Sequence, residues 1–377
     1  MKHRERVIAA INHQEADRVP LDLAGTTVTG ISTNAYINLR EFLGFPVDES
    51  PRIAHLHQGL VWPKEDLLDH YDIDFRSVYM NKSPRGFALT TNPDGSFIDE
   101  YQLLWKRAAY DYYPSSVPLA EAVIDDLKTV PWPDPRDPVR FINIRDQAVH
   151  FAEHSDYAVI ADIMCRGPFE LAVKLRGYEK AMTDFYLDPT FIQALLEKIT
   201  DTVITLWDGY LDAIENQCQV VCQGDDLGMQ TALLISPDIY RKFVKPCHKR
   251  IYDFIRAKTD AKIFMHSCGA IRDIIPDLIE LGVDILNPVQ RSASGMNIAD
   301  LKRDFGKDLV FWGGGIDTQQ FLVTASVNEI EDDIKKTMDI LGPGGGFVFV
   351  PTHNLQPDVT PDRIDAVFKS AIKYGGY

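Results

Sequence analysis

His266 and Cys268 are the two residues of this sequence best suited to bind a metal ion together. They follow an uncharged apolar run, Ile263 to Met265, which predicts a buried β-strand that stops before Gly269. Because alternate side chains of a strand point to the same face, the imidazole and the thiol should project from one side of the strand end. A nitrogen and a sulfur donor suit a borderline-soft ion, of which zinc is the usual choice. The alternative is that Cys268 is a small buried apolar residue and His266 a hydrogen-bonded neighbour.

Two consecutive aspartates, Asp225 and Asp226, follow the apolar run Gln219 to Cys222. If this run is a strand parallel to the one before His266, a carboxylate here faces the same opening. We predict that one of the two aspartates carries a catalytic proton, binds the metal, or orients a ligand of the metal. The alternative is turn formation and helix capping, for which aspartate is also well suited.

A third nitrogen donor, His353, follows the apolar run Phe347 to Val350. In a barrel it would share a rim with His266 and Cys268, although a lone histidine at a strand end is often structural. Three nitrogen and sulfur donors with a carboxylate nearby match a catalytic zinc site, which keeps one position open for substrate. Polar residues that follow the sixth and eighth predicted strands are expected to contact a cofactor: Asn287, Gln290 and Asn354.

The elements that must position these side chains are apolar runs that alternate with amphipathic helical patterns. Eight such runs are present, and eight alternating strands predict an α/β fold of the closed (β/α)8 TIM-barrel type rather than an open sheet. The runs are Val19 to Leu23, Ile73 to Val78, Ala158 to Ile163, Gln219 to Cys222, Lys262 to Met265, Val283 to Leu286, Leu309 to Trp312 and Phe347 to Val350.

The segment from about 80 to 130 departs from this alternation. Asn92-Pro93-Asp94-Gly95-Ser96 is a hairpin turn signal between two short β-type runs, so we predict an antiparallel excursion after the second strand. This excursion would cover the barrel mouth or a partner surface. The whole chain, 1–377, is predicted to be one barrel domain.

Composition excludes several classes of function. The chain has 377 residues, 45 % of them hydrophobic, and its net charge of −16 offers no basic face for nucleic acid. No run approaches the roughly 18 apolar residues of a membrane span, and the charged N-terminus is unlike a secretory signal, so we expect a cytoplasmic protein. The five cysteines, an odd number without dense spacing, should be reduced. The triplets Gly313–Gly315 and Gly344–Gly346 fit close turns better than a dinucleotide site.

Several motifs together resemble the uroporphyrinogen decarboxylase superfamily over essentially the whole length of the chain. This resemblance independently implies a (β/α)8 barrel, and it implies a homodimer. The motifs are Gly167-Pro168-Phe169-Glu170, the Asp225-Asp226 loop, Leu234-Ile235-Ser236-Pro237, Phe243-Val244-Lys245-Pro246, His266-Ser267-Cys268-Gly269, Gly314-Gly315-Ile316-Asp317 and the segment from His353 to Pro361.

Within that superfamily, the decarboxylase branch carries an arginine-bearing motif after the first strand that holds substrate carboxylates. Here the region from Leu23 to Gly30 contains no arginine, so charge-assisted contacts to a tetrapyrrole polycarboxylate would be missing. The His-x-Cys pair instead resembles the zinc-dependent corrinoid methyltransferase branch, which generally has a second cysteine near the last strand. His353 stands at that place, and an imidazole in place of a thiolate leaves the zinc centre more positive.

The resemblance therefore implies a zinc-dependent methyltransferase that moves a methyl group between a small substrate and a corrinoid carried by a separate protein. Methoxylated aromatics, methylamines, methanol and thiols all stay open as substrates, as does the direction of transfer. One alternative is a metal-free decarboxylase or other lyase whose cations come from Arg76, Arg166 or Lys245. Another is a non-catalytic corrinoid- or tetrapyrrole-binding protein.

Overall fold

Seven of the eight predicted runs form the strands of one parallel β-sheet. The computed structural model describes residues 1–81, 92–108, 112–162 and 167–377. Neighbouring strands follow one another in chain order across the sheet, as expected for successive β-α units. From one edge to the other they are Phe75–Val78, Ala158–Ala161, Val220–Gly224, Lys262–His266, Ile285–Asn287, Val310–Trp312 and Phe347–Val348.

The remaining predicted strand, Val19 to Leu23, lies between the two edges of this sheet. Leu21 forms a parallel bridge with Phe349, and the Asp22 amide donates to the Phe349 carbonyl at 2.9 Å. On the other side, the Asp74 amide donates to the Leu21 carbonyl at 3.0 Å. The curled sheet is consistent with the predicted TIM-barrel-like fold, because this segment is bonded to both of its edges.

Strand alternation separates the buried residues into two layers. Phe264 points into the sheet's concave interior, where it packs with Phe75, Cys222 and Trp312. Its neighbours Ile263 and Met265 belong to the larger cluster formed with the helices. Side chains two residues apart lie in the same layer. A polar residue just beyond a strand therefore faces either the interior or the helices, according to its spacing from the strand residues.

The helices that cover the sheet have amphipathic sequences and recognisable ends. The longest is Pro189–Ile214: the Asp188 side chain accepts a hydrogen bond from the Phe191 amide, proline occupies the first turn, and Glu215 ends the helix in a left-handed conformation. Its buried residues recur at intervals of three and four. The other α-helices are His3–Ile11, Thr33–Phe42, Glu65–His70, Ile144–His154, Pro168–Arg176, Tyr178–Leu187, Pro237–Ile239, Lys245–Lys258, Ile275–Glu280, Ile298–Phe305, Phe321–Thr324, Val327–Leu341 and Pro361–Tyr374.

The predicted antiparallel excursion is present in part. Phe97–Ile98, Leu104–Arg107 and Tyr112–Pro114 form a three-stranded antiparallel sheet after the second strand of the main sheet. The predicted turn at 92–96 exists, with the Asn92 amide donating to the Ser96 carbonyl at 2.6 Å. The β-type run expected before that turn lies outside the described residues.

A second antiparallel sheet was not predicted from the sequence. It contains Ile31–Ser32, Leu60–Trp62 and Arg52–His55, with an irregular register beside His55. These strands have only two to four residues, too few to show a reliable alternation of polar and apolar side chains. The sheet matters for function because it forms part of the wall of the cavity described below.

Three further expectations concern properties of the whole chain. Cys218, Cys222, Cys247 and Cys268 are free thiols, as predicted, whereas Cys165 lies outside the described residues. Gly313, Gly314 and all three glycines at 344–346 have positive φ angles, consistent with close turns. Within the described ranges, no helix combines the length and the apolar character that a membrane span requires.

Candidate metal centre and its two cavities

Asp226, His266 and Cys268 form a cluster at the carboxyl ends of two neighbouring strands. One potential ligand atom from each side chain lies within 4.8 Å of the other two. The Cys268 Sγ is 3.5 Å from the His266 Nε2, which is 3.7 Å from an Asp226 carboxylate oxygen. The Cys268 amide also donates to Asp226 Oδ1 at 2.9 Å, which fixes the carboxylate beside the thiol.

The position of the cluster follows from strand alternation. His266 lies two residues after the interior residue Phe264, and Asp226 lies four residues after the interior residue Cys222. Since side chains an even number of residues apart share a face of a strand, both should point to the interior. The two strands are paired in parallel, with His266 opposite Gly224. The inward-pointing positions beyond both strand ends therefore meet at one place, as the His-x-Cys spacing predicted.

Asn287 orients the imidazole of His266. Its Oδ1 lies 2.6 Å from His266 Nδ1, and its own amide nitrogen donates to the Trp312 carbonyl at 2.8 Å. Because the Asn287 oxygen can only accept, Nδ1 must carry the proton and Nε2 presents its lone pair to Cys268 and Asp226. In the structure Asn287 holds the candidate ligand His266, and its predicted contact with a cofactor stays a prediction.

The donor set and its spacing fit a zinc ion. Ligand atoms at about 2.3 Å for sulfur and about 2.0–2.1 Å for nitrogen from a tetrahedral zinc lie roughly 3.5 Å apart. The observed separation of the Cys268 and His266 donor atoms is 3.5 Å. Burial, followed by the negative charges of Asp226 and Glu170, raises the pKa of the Cys268 thiol well above its usual range. A cation is the kind of partner that would convert this thiol into a thiolate ligand.

His353 lies in the wall of the same cavity as His266 and Asp226. It is not a member of the three-residue cluster that the described residues form. Burial, with a smaller contribution from His266, lowers the pKa of His353 to about 4, so its imidazole is neutral at pH 7 and has a lone pair available to a metal ion or a hydrogen-bond donor. The metal set of His266, Cys268 and His353 stays a prediction, and of the two aspartates predicted beside it Asp226 is the one in the cluster.

The two adjacent aspartates have different surroundings. Asp225 is fully buried and accepts hydrogen bonds from the amides of Phe169 and Glu170, at 3.0 and 2.6 Å, at the start of the helix Pro168–Arg176. His248 Nε2 lies 2.8 Å from the same carboxylate, and burial raises the Asp225 pKa despite this partner. Strand parity explains the difference, because Asp225 faces the helices while Asp226 faces the interior. These contacts at the start of a helix fit the capping alternative for Asp225, and a catalytic role stays a prediction for both aspartates.

Gln290 and Asn354, the other two predicted cofactor contacts, also hold loops in place. The Gln290 side-chain oxygen accepts from the Gly269 amide at 2.7 Å, directly after Cys268. Asn354 accepts from the Gly30 amide at 2.6 Å and donates to Gln58 at 3.1 Å. Both side chains nevertheless line a cavity, so contact with a ligand stays a prediction for each.

A cavity of about 220 Å³, which we call the chamber, opens on one side of the cluster. Its floor consists of residues at strand ends, namely Asp162, Gly224, Asp226, His266 and His353. One wall comes from the sheet that sequence analysis missed, which contributes His55 and Trp62, and from the turn between these strands, which contributes His57. The other comes from the predicted excursion and contributes Asp99, Glu100 and Tyr101, so the excursion covers this part of the mouth.

Two acidic chamber residues were overlooked in the sequence. Asp162 has the same parity as the interior residue Ile160, and the amide of Thr27 lies 3.2 Å from its carboxylate oxygens. Glu170 forms an ion pair with Lys174 at the start of its helix and also lines the chamber. Parity would have identified Asp162, whereas Glu170 is brought to the chamber only by the packing of its helix.

The cations proposed for a metal-free lyase do not line the chamber in the described part of the chain. Arg76 pairs with Glu65 and donates to backbone carbonyls, and Lys245 pairs with Asp277 and Glu280. Arg166 lies outside the described residues.

A cation that does line the chamber is Arg140, which is already bonded to Glu100 at 2.5 Å. An arginine in an ion pair is less available to hold a substrate carboxylate than a free one.

A second and larger cavity, which we call the groove, lies on the other side of the cluster. Its volume is about 640 Å³, and both Cys268 and His353 contribute to its lining. His353 also lines the chamber, whereas His266 and Asp226 line the chamber alone. The candidate metal centre thus stands between two cavities.

Comparison with known proteins identifies the family. Residues 111–374 match the family described as "Uroporphyrinogen decarboxylase (URO-D)". Uroporphyrinogen decarboxylase of Shewanella amazonensis is 24 % identical over 259 residues, covering 66 % of this chain and 68 % of the relative. That of Photorhabdus laumondii is 26 % identical over 265 residues, covering 66 % and 69 %. A solved structure titled "methyltransferase from Methanosarcina mazei" shares the fold with a TM-score of 0.63 and 19 % identity, covering 99 % of each chain. The chain belongs to the uroporphyrinogen decarboxylase family.

Proposed function

We propose that this protein is a zinc-dependent methyltransferase that moves a methyl group between a small substrate and a corrinoid carried by a separate protein. The observation that carries the proposal is the cluster of Asp226, His266 and Cys268, whose donor spacing fits zinc. The missing arginine motif after the first strand and the methyltransferase title of the structural neighbour support it. We further propose that the chain acts as one barrel domain and assembles as a homodimer.

The size of the chamber favours a small substrate. Pockets that enclose drug-sized ligands are typically about 300–1,000 Å³, and the chamber has about 220 Å³. A tetrapyrrole with carboxylate side chains is far larger and would also require cations. This comparison favours a small substrate in the chamber over decarboxylation of a tetrapyrrole there, which is the second candidate and the one that the names of the curated relatives suggest.

We propose the following roles for the residues around the metal centre. His266, Cys268 and Asp226 would hold the zinc ion, and we propose His353, which lines the same chamber, as a further ligand. When bound, zinc would act as a Lewis acid for the heteroatom of the methyl donor or acceptor. Asn287 keeps the His266 lone pair aimed at the centre. The methyl group would leave the electron pair of its old bond on the donor heteroatom and form its new bond with an electron pair of the acceptor. Asp226, when it does not itself bind the zinc, would exchange the proton that balances the charge on the heteroatom.

The direct test combines metal analysis with a methylation assay. We expect protein purified without chelator to contain about one zinc per chain, bound more weakly as pH falls because thiol and imidazole must lose protons to ligate. Cob(I)alamin with a panel of methyl donors, and methylcobalamin with a panel of thiols, should show a change in the cobalt spectrum. Metal-free protein that leaves both panels unchanged, even with the corrinoid protein of the same organism, would return the function to the lyase alternative.

The role of Asn287 makes a separate prediction. Asn287→Ala removes the acceptor for His266 Nδ1, and loss of such an outer partner typically costs about 10–100-fold in metal affinity. Asn287→Asp retains an acceptor and should retain most of the affinity. Zinc dissociation constants from competition with a chelator measure both effects.

A matched control is Asn297→Ala, because Asn297 caps the distant helix Ile298–Phe305. This variant should lose some stability and no zinc affinity. Equal zinc affinities for Asn287→Ala and the unaltered protein would show that the hydrogen bond does not orient a metal ligand.

A further inference from the structure

The groove has a lining that differs in chemistry from the chamber. Its polar side chains are mostly amides and hydroxyls, set among apolar and backbone surface, and they come from Gln230, Gln290, Thr318, Gln319, Thr352, Asn354 and Gln356. Asp358 adds a carboxylate, and no lysine or arginine is found among the described residues that line it. The groove is therefore a neutral to slightly acidic surface rich in paired donors and acceptors.

These polar side chains fall into two groups. Gln290 and Asn354 are held by hydrogen bonds to the loops that carry Cys268 and Gly30, so their positions are fixed. Gln319 is exposed and Gln356 is half-buried. Their amides have no hydrogen bond to the described parts of the protein, so both remain available to a ligand.

We propose that the groove is a second ligand subsite, which takes the amide-bearing edge of a corrin macrocycle and rejects macrocycles that bear carboxylates. Primary amides on the ligand can exchange paired hydrogen bonds with glutamine side chains. A polycarboxylate would lose water without meeting a cation and would face the charge of Asp358. The assignment to a corrinoid rests on the proposed function, whereas the preference for amides rests on the lining alone.

The arrangement gives each reactant its own approach to the cluster. A small substrate in the chamber meets the side formed by His266 and Asp226, and the macrocycle in the groove meets the side formed by Cys268. His353 separates the two and belongs to both walls. In this proposal the methyl group passes between the two reactants while each stays in its own cavity, so neither has to be repositioned during the transfer.

The preference for amides can be measured with two corrinoids that differ mainly in their side groups. Dicyanocobinamide carries amides, and dicyanocobyrinic acid carries carboxylates at the corresponding positions. Equilibrium dialysis against the full-length, zinc-loaded protein should give at least about tenfold tighter binding of the amide form, equivalent to about 1.4 kcal/mol. Uroporphyrin, an octacarboxylate, should bind no better than the acid form.

Substitutions in the groove should change this preference in a direction that misfolding would not produce. The double variant Gln319→Lys/Gln356→Lys supplies cations and should strengthen binding of dicyanocobyrinic acid while weakening that of dicyanocobinamide. Gln193→Lys is the matched control, because Gln193 is exposed on the helix Pro189–Ile214 and pairs there with Glu197. It should leave the ratio of the two affinities unchanged.

The results separate this proposal from the proposed function. Equal binding of the two corrinoids, or an unchanged ratio in the double variant, would overturn the amide subsite even if the enzyme transfers methyl groups. Selective binding that the double variant reverses would support the subsite even if zinc and methyl transfer were both absent.

Discussion

Cys268→Ala is expected to abolish zinc binding and methyl transfer while leaving the fold intact. The substitution removes the only sulfur donor of the described cluster and leaves two ligand side chains, too few for a stable tetrahedral site. We expect the transfer rate to fall by more than the roughly 10–100-fold loss that follows removal of an outer partner. Because Cys268 is partly exposed at a strand end, the cavity left by its sulfur should cost little stability. Elemental analysis and the cobalt spectrum measure the two losses.

Cys218→Ala provides the control for this experiment. Cys218 is a buried free thiol that precedes the strand Val220–Gly224, at the end opposite to the cluster. Its replacement should cost some stability and leave zinc content and transfer rate unchanged. A zinc-free Cys268→Ala protein with full activity would show that the cluster is not part of the reaction, and Cys268 would then be the small apolar residue of the alternative interpretation.

Asp74→Ala is expected to cause the largest loss of stability among the substitutions considered. Asp74 is completely buried and accepts hydrogen bonds from Arg6 at 2.6 Å, from Arg18 at 2.8 Å and from the Leu21 amide at 2.7 Å. Removal of one partner from a buried ion pair typically costs about 3–5 kcal/mol, and Arg6 and Arg18 would keep only the more exposed carboxylates of Asp17 and Asp72 as ion-pair partners. The loss would also release the segment around Leu21 that joins the edges of the main sheet. Urea unfolding, followed by fluorescence, measures the change.

The pH dependence of this contribution has a defined sign. Although burial alone would raise it, the His3 hydrogen bond and the charges of Arg18 and Arg6 lower the pKa of Asp74 below its usual value. The stabilisation is therefore fully present above the ordinary carboxyl range and is lost as pH falls through the lowered pKa. Asp72→Ala is the control, because Asp72 contacts Arg18 from a half-exposed position and should contribute less than about 1 kcal/mol. Similar unfolding midpoints for the two variants would contradict the assignment.

Much of the site was predictable because strand alternation is a local property. The period of two placed His266 and Cys268 on one face, and the structure brings their donor atoms to 3.5 Å. The same rule, applied one strand earlier, distinguishes Asp226 from Asp225 and would have added Asp162. The boundaries of the main strands were also encoded locally, since each is a short apolar run enclosed by turn residues.

Distances between elements that are remote in sequence were decided by the tertiary structure. The sequence placed His353 at the correct rim, but the packing of its loop puts it in the wall shared by the chamber and the groove instead of in the three-residue cluster. The wall that contains His57 and Trp62 belongs to a hairpin whose strands are too short to show periodicity. A repeating pattern fixes the face on which a side chain lies, because that depends on the backbone of a single strand. The shape of a cavity depends on how separate loops pack against one another, and no single segment of this sequence contains that information.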